Sequence, residues 1–205
     1  HGNVGEAVIA GCNLALCARE LGQSDHAIEI LEDLLRQCRA AGIPDRETTV
    51  AVNLAREYVV ASRYREGAAL ARSVLASKDR IAALKRVEAL IVLSVALAET
   101  DSSAAALALL QEHWPRVVPV APVEYRLRYA ITLGELRNAV GKAQEALDVL
   151  LATEDEARRL GLDRQRMDAL AAASVAARSL GRNEQALDLI RRAAAIWQVS
   201  RGAPM

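Results

Sequence analysis

The chain has 205 residues, of which 52% are hydrophobic and 3% aromatic, and phenylalanine is absent. Its 26 basic residues balance 26 acidic ones, so it lacks the basic excess that phosphate contacts require, which argues against direct binding of nucleic acid. The longest apolar run, Ala89 to Ala98, is about half of the roughly 20 residues that a membrane-spanning helix needs, and the N-terminus lacks a signal-peptide pattern. These features predict a cytoplasmic helical protein with an Ala-, Leu-, Val- and Ile-rich core.

A repeated pattern runs along the whole chain. Each copy has a turn residue, a small residue five positions later, and then an apolar series with helical spacing. The turn residues are Gly22, Ser62, Asp101, Gly141 and Gly181, and the small residues are Ala27, Gly67, Ala106, Ala146 and Ala186. Successive turns are 40, 39, 40 and 40 residues apart, and so constant a period predicts five copies of one helix–turn–helix unit.

The pattern predicts an all-α chain of ten helices, two in each repeat, that forms one domain. In chain order the first helices are predicted at 4–21, 46–61, 80–99, 123–140 and 164–180. The second helices are predicted at 24–41, 64–76, 102–114, 143–160 and 183–199. The five repeats therefore span 4–41, 46–76, 80–114, 123–160 and 164–199.

Local signals mark the ends of these helices. Gly or Ser at a turn allows the left-handed backbone that reverses the chain, and the junctions at Gly42 and Gly161 have the Gly-then-apolar pattern of a Schellman motif. Pro115 predicts that the sixth helix ends at Trp114, because proline cannot continue a helix. Four polar residues are predicted to cap the start of a helix: Ser24, Asp45, Asp163 and Asn183.

Three segments carry a family resemblance. Segments 141–147 and 181–187 both follow Gly-x4-Ala-Leu after an Ala- and Leu-rich helix, and segment 62–68 fits the same pattern. The sequence therefore resembles the tetratricopeptide repeat (TPR) over nearly its whole length, although the usual TPR unit has about 34 residues. The resemblance implies a right-handed α-α superhelix of about five repeats.

The longer repeat resembles a second group. Repeats of about 40 residues with a Leu-Gly-x-Asp junction, as at 160–163, look like the effector-binding superhelix of MalT-like regulators. Those are large bacterial ATP-dependent transcription activators that end in a LuxR-type DNA-binding domain. The resemblance implies the ligand- or protein-sensing region of such a regulator. The alternative is a free-standing TPR scaffold for protein–protein interaction or oligomerisation.

Patterns typical of catalysis do not occur in the sequence. Gly141-Lys142 lacks the first glycine and the hydroxyl of a phosphate-binding loop, and the three histidines form no metal-binding pattern. Segment 154–156 (Glu-Asp-Glu) points in three directions on a helix, so a solvated face is predicted. Cys12, Cys17 and Cys38 are predicted to pack as small hydrophobes. The sequence thus predicts a protein that is not an enzyme and needs no metal or cofactor.

The predicted binding surface is the concave side of the superhelix, which the first helices line. Alignment on the turn residues makes this groove polar in the first, second and fourth repeats and apolar in the third. Its candidate residues are Asn13, Leu16, Arg19, Asn53, Arg56, Arg128, Glu135, Asn138 and Arg178.

Two interpretations of these side chains stay open. Asn13, Asn53 and Arg56 suit a hydroxylated small-molecule effector or the backbone of a protein segment; the alternative is that they are simply solvated. A chaperone-tail clamp is not expected, because of its five positions only Asn53 fits. A last helix with an apolar outer face around Trp197 would dock on further chain or on a second copy, giving a homo-oligomer through the terminal helices.

Overall fold

The computed structural model describes residues 2–77, 82–100, 102–119 and 121–202, and side chains from residue 5 to residue 199 within these ranges. The described residues form ten α-helices and no strand, so the all-α prediction is confirmed. The helices are α1 (Gly2–Glu20), α2 (Ser24–Ala41), α3 (Pro44–Val60), α4 (Tyr64–Ala76), α5 (Ala83–Thr100), α6 (Ser103–Val117), α7 (Val123–Ala139), α8 (Ala143–Arg159), α9 (Asp163–Ser179) and α10 (Asn183–Gly202). The predicted start of the third repeat at residue 80 and its turn at Asp101 lie outside the described residues.

The turns between helices share one backbone geometry. Gly22, Ser62, Gly141 and Gly181 have φ values of 76°, 60°, 83° and 73°, in the left-handed region that the sequence predicts for them. The residue after each of them donates its backbone N–H to a carbonyl five residues back, as from Gln23 to Ala18 at 2.9 Å. Gly42 and Gly161 repeat the arrangement, so the Schellman motif closes helices within repeats as well as between them.

The predicted helix caps are wrong by one or two positions. Ser24, Asp163 and Asn183 are each the first residue of a helix, and Asp45 is the second residue of α3. The residue that follows the left-handed glycine becomes the N-cap instead, as Gln23 does before α2, and it makes no side-chain cap hydrogen bond. The Schellman turn therefore sets where the next helix starts, and the acidic side chains act through the helix dipole.

The predicted end of the sixth helix is also wrong. Pro115 lies inside α6, which continues to Val117. A proline in the last turn removes one helical hydrogen bond, and the N–H of Val118 still reaches the carbonyl of Trp114 at 3.1 Å.

The helices group into two compact units, His1–Ser102 and Ser103–Met205. In unit 1, α1 to α5 pack in chain order around Leu31, Leu54 and Leu90, which are fully buried. In unit 2, α6 to α10 pack in chain order, and the core includes Tyr129, whose O–H donates to the carbonyl of Leu110 at 2.7 Å. Within each unit, consecutive helices thus bury faces against one another.

Small residues occur where paired helices approach closely, as predicted. Ala27, Ala106 and Ala146 are fully buried. A Cβ atom on Gly67 would lie 2.9 Å from the carbonyl oxygen of Ala55, a backbone atom that cannot move aside on its own. Glycine at 67 therefore sets the spacing of α3 and α4.

Candidate functional site

The predicted groove residues all lie on first helices, as the sequence indicates. Five are in unit 1, on α1 and α3, and four are in unit 2, on α7 and α9. Those in unit 1 are Asn13, Leu16, Arg19, Asn53 and Arg56, and those in unit 2 are Arg128, Glu135, Asn138 and Arg178.

In unit 1 the two predicted arginines are held by buried carboxylates. Arg19 on α1 donates to Glu57 on α3 at 3.0 Å, and Arg56 on α3 donates to Glu88 on α5 at 2.7 Å. Lys85 adds a second cation to Glu88 at 2.8 Å. The side chains of Glu57 and Glu88 are only 6% and 4% exposed. These five residues, called the first-helix cluster below, join three first helices in a row, so Arg19 and Arg56 are not simply solvated.

Neither carboxylate is among the residues predicted from the sequence, although the sequence carries a signal for Glu57. Five residues before the turn, the later repeats have Ala96, Leu136 and Ala176, which are all buried. A glutamate at that position is a charge at a core site, and such a charge needs a partner. Arg19 in the neighbouring repeat supplies it.

The first-helix cluster retains hydrogen-bonding capacity. A guanidinium carries several N–H donors, and those that the arginines use here go to Glu57, Glu20 and Glu88. The Nε atom of Arg56 and the Oε2 atom of Glu57 are buried without a hydrogen-bond partner. An unpaired donor and an unpaired acceptor on consecutive residues are uncommon in a folded protein.

Two thiols of unit 1 are held in their neutral form. Burial raises the pKa of Cys12, against a smaller opposite effect of its hydrogen bond with Asn53. Burial also raises the pKa of Cys38, which is fully buried, as predicted for a small hydrophobe. Cys17 contradicts that prediction, because it is exposed.

The first-helix face of unit 2 has a different chemistry. Burial raises the pKa of Glu135 on α7, and the charge of Asp168 on α9 raises it further. Burial also raises the pKa of Asp168, while Arg164 and Arg128 lower it. Two carboxylates thus face each other where unit 1 has ion pairs.

The predicted solvated face at 154–156 is partly wrong. The three side chains do point in three directions, but Glu154 is buried. It accepts from Arg192 at 3.1 Å and from Arg166 at 3.4 Å, so it ties α8 to α9 and α10. Glu156 pairs with Arg126 at 2.7 Å. A position that stacks against the next helix becomes buried even when it carries a charge.

Unit 1 also has an open groove of about 520 Å³ between α2 and α4, with α3 at its base. Its polar groups satisfy one another: the O–H of Tyr58 donates to Glu32 at 2.7 Å, and Arg63 pairs with Glu66 and lies 4.3 Å from the ring of Tyr58. Burial and the bond to Glu32 raise the pKa of Tyr58 to about 12. This groove therefore offers fewer uncommitted polar groups than the first-helix cluster.

Two negative findings apply to residues 2–77, 82–100, 102–119 and 121–202. Within these ranges, each helix is too short or too polar to cross a membrane. In the same ranges, His, Cys, Asp and Glu side chains do not gather in groups of three that could hold a metal ion.

The structure is similar to solved TPR-like repeat proteins. A Podosopora anserina protein with nearly identical TPR-like repeats has a TM-score of 0.71 and 20% identity, over 96% of this chain and 97% of that chain. BtubC from P. vanneervenii has a TM-score of 0.73 and 16% identity, over 98% and 84%. YrrB, a TPR protein, has a TM-score of 0.50 and 20% identity, over 92% and 86%. At these identities the likeness concerns the fold, which is therefore all-α and TPR-like.

No protein-family model matches the sequence, and no curated protein matches it either. The resemblance to MalT-like regulators stays a prediction.

Proposed function

We propose that the chain is a non-enzymatic scaffold that binds a protein segment along the first-helix cluster of unit 1. The observation that carries this proposal is the pair of arginines, Arg19 and Arg56, each oriented by a buried carboxylate of the neighbouring helix. An arginine held in place loses little side-chain entropy when it binds a ligand, which favours recognition of carboxylates and backbone carbonyls. YrrB, similar in fold, is described as having an unusual peptide-binding site.

The cluster suits an extended segment with acidic side chains. Its five residues comprise three cations and two carboxylates, a net charge of +1. Exposed Glu20, which also pairs with Arg19 at 3.1 Å, lies at its edge. Leu16 and Asn13 are exposed beside it on α1. Packed helices lie about 8–10 Å apart, so three first helices in a row span roughly 20 Å. An extended peptide of roughly six residues covers that length.

Selection from a phage-displayed library of random peptides tests the proposal. Peptides selected on the purified chain should be enriched in Asp and Glu. Substitution Arg56→Ala should weaken their binding about tenfold or more, because a hydrogen bond to a charged group contributes about 1.5–3 kcal/mol. Arg72→Ala is the matched control: it removes the same charge from the exposed face of α4 and should leave the affinity unchanged.

If the selected peptides bind the wild type and Arg56→Ala equally well, the first-helix cluster is not their binding site. A small metabolite that raises the melting temperature, together with failure to select any peptide, would instead favour the effector-sensor hypothesis of a MalT-like regulator.

A further inference from the structure

Arg19 in the first-helix cluster contacts two carboxylates of different character. Its Nη1 atom donates to Glu57 at 3.0 Å, and its Nη2 atom donates to Glu20 at 3.1 Å. The side chain of Glu57 is 6% exposed, whereas that of Glu20 is 68% exposed. One carboxylate therefore holds the guanidinium from inside the protein, and the other occupies a part of it that a ligand can reach.

The two contacts are not the strongest arrangement that Arg19 could form. A guanidinium and a carboxylate bind most strongly through two parallel N–H···O bonds. Arg19 instead gives Glu57 a single bond, and the Oε2 atom of Glu57 stays buried without a hydrogen-bond partner. The Nη2 atom thus serves the exposed carboxylate of Glu20, while a buried acceptor on Glu57 lacks a donor.

The fold gives no reason for a carboxylate at position 20. Glu20 is the last residue of α1, where the helix dipole disfavours a negative charge. Adjacent residues of a helix do not face each other, and an exposed ion pair stabilises a protein little. At the same place, two residues before the turn, other repeats have Val60, Ala139 and Ser179. Removal of this carboxylate should therefore leave the fold intact.

We propose that Glu20 is an internal competitor at the binding site, and that an acidic side chain of the bound segment replaces its carboxylate on the Nη2 atom of Arg19. This exchange rests on the peptide site proposed above, and it makes Glu20 a residue that limits the affinity of that site. Glu57 keeps the guanidinium in place during the exchange, so the ligand meets a donor that is already oriented. The contact that is given up is exposed and weak, so little stability is lost.

The two arginines of the cluster then have different roles. Arg56 is bonded to Glu88, whose side chain is 4% exposed. A ligand can bind other N–H groups of Arg56 without displacing this buried partner. At Arg19 a ligand has to displace Glu20 first. Loss of the Glu20 carboxylate should therefore raise the affinity through Arg19 and not through Arg56.

The test is the affinity of the selected peptides, synthesised with an amidated C-terminus so that their carboxylates are all on side chains. Glu20→Gln keeps the size of the side chain and removes its charge. It should tighten binding about two- to fivefold, the range that an exposed ion pair covers. Glu99→Gln is the matched control, because it removes the same charge from the same exposed position of the third repeat, where Ala98 precedes it in place of an arginine. It should leave the affinity unchanged.

Double substitutions locate the effect at Arg19. Arg19→Lys retains a cation for buried Glu57 but lacks the second terminal nitrogen. In that background, Glu20→Gln should no longer tighten binding. Exchange of the acidic residues of the peptide for their amides, one at a time, should abolish the gain from Glu20→Gln at the residue that binds Arg19. Circular dichroism establishes that the variants are folded.

The outcomes separate this exchange from the peptide site itself. Peptides that Arg56→Ala weakens but that bind the wild type and Glu20→Gln equally well would overturn the exchange and leave the site intact. An equal gain in Glu20→Gln and Glu99→Gln would also overturn it, because the effect would then be one of net charge. Failure to select any peptide on either the wild type or Glu20→Gln would overturn both proposals.

Discussion

The same pair of repeat positions carries opposite charges in unit 1 and like charges in unit 2. Six residues before the turn, the second repeat has Arg56 and the fourth has Glu135. Thirteen residues before the turn, the next repeat has Glu88 in unit 1 and Asp168 in unit 2. In unit 1 the two side chains form an ion pair at 2.7 Å, whereas in unit 2 the charge of Asp168 raises the pKa of Glu135. One scaffold thus builds a cation-rich surface in one unit and an acidic one in the other.

The largest effect is expected when unit 1 is given the acidic pair of unit 2. Arg56→Glu places a carboxylate beside buried Glu88 and leaves Lys85 as its cation. Removing one partner of a buried pair costs about 3–5 kcal/mol, and the partial exposure of Arg56 places the expected loss at about 2–4 kcal/mol. Urea unfolding followed by circular dichroism measures it. Arg72→Glu, on the exposed face of α4, is the control and should cost under about 0.5 kcal/mol.

A loss no larger than that of the control would mean that the pair in unit 1 does not contribute to stability.

The reverse exchange should have a smaller effect of opposite sign. Glu135→Arg places a cation opposite Asp168 and so replaces a repulsion by an attraction. It should stabilise the protein by about 0.2–1 kcal/mol, because the residue as a whole is exposed although the surrounding protein desolvates its carboxyl group. Thermal and urea unfolding at low salt give the free energy. Glu112→Arg changes the same charge on the exposed side of α6 and separates the local effect from the change in net charge. Destabilisation by Glu135→Arg but not by Glu112→Arg would contradict the inference that Glu135 and Asp168 repel each other.

The smallest expected effect is a pH dependence. Because the pKa of Glu135 is raised above its ordinary value of 4.5, the native state holds this proton more tightly than the unfolded chain does. The contribution of this group to stability therefore falls as pH rises from about 4.5 through the raised pKa, and acidification from pH 7 restores it. Compared with the wild type, Glu135→Gln should be more stable at pH 7 and should gain less on acidification to pH 5. Parallel curves of stability against pH for the wild type and Glu135→Gln would contradict this prediction.

Much of the fold follows from local sequence signals. The 40-residue period and the glycines with left-handed backbone place the described helix ends within three residues of their predicted bounds, the predicted start at residue 80 lying outside the described residues. A side-chain signal is wrong where the geometry of the turn sets the start of the helix, as for the cap predicted at Ser24. The candidate site is predicted less completely: Arg19 and Arg56 follow from the alignment of repeats, but Glu57 and Glu88 do not.

The sequence by itself determined the helices, their pairing in repeats and the positions that form the first-helix face, because helical periodicity and turn preferences act over a few residues. Only the tertiary structure decided which charges are buried and with whom they pair. Glu57 pairs with a residue 38 positions away, and Glu88 with one 32 positions away. The same glutamate would be solvated or buried depending on what the adjacent repeat places opposite it. The packing of neighbouring helices decides whether the glutamate is solvated or buried.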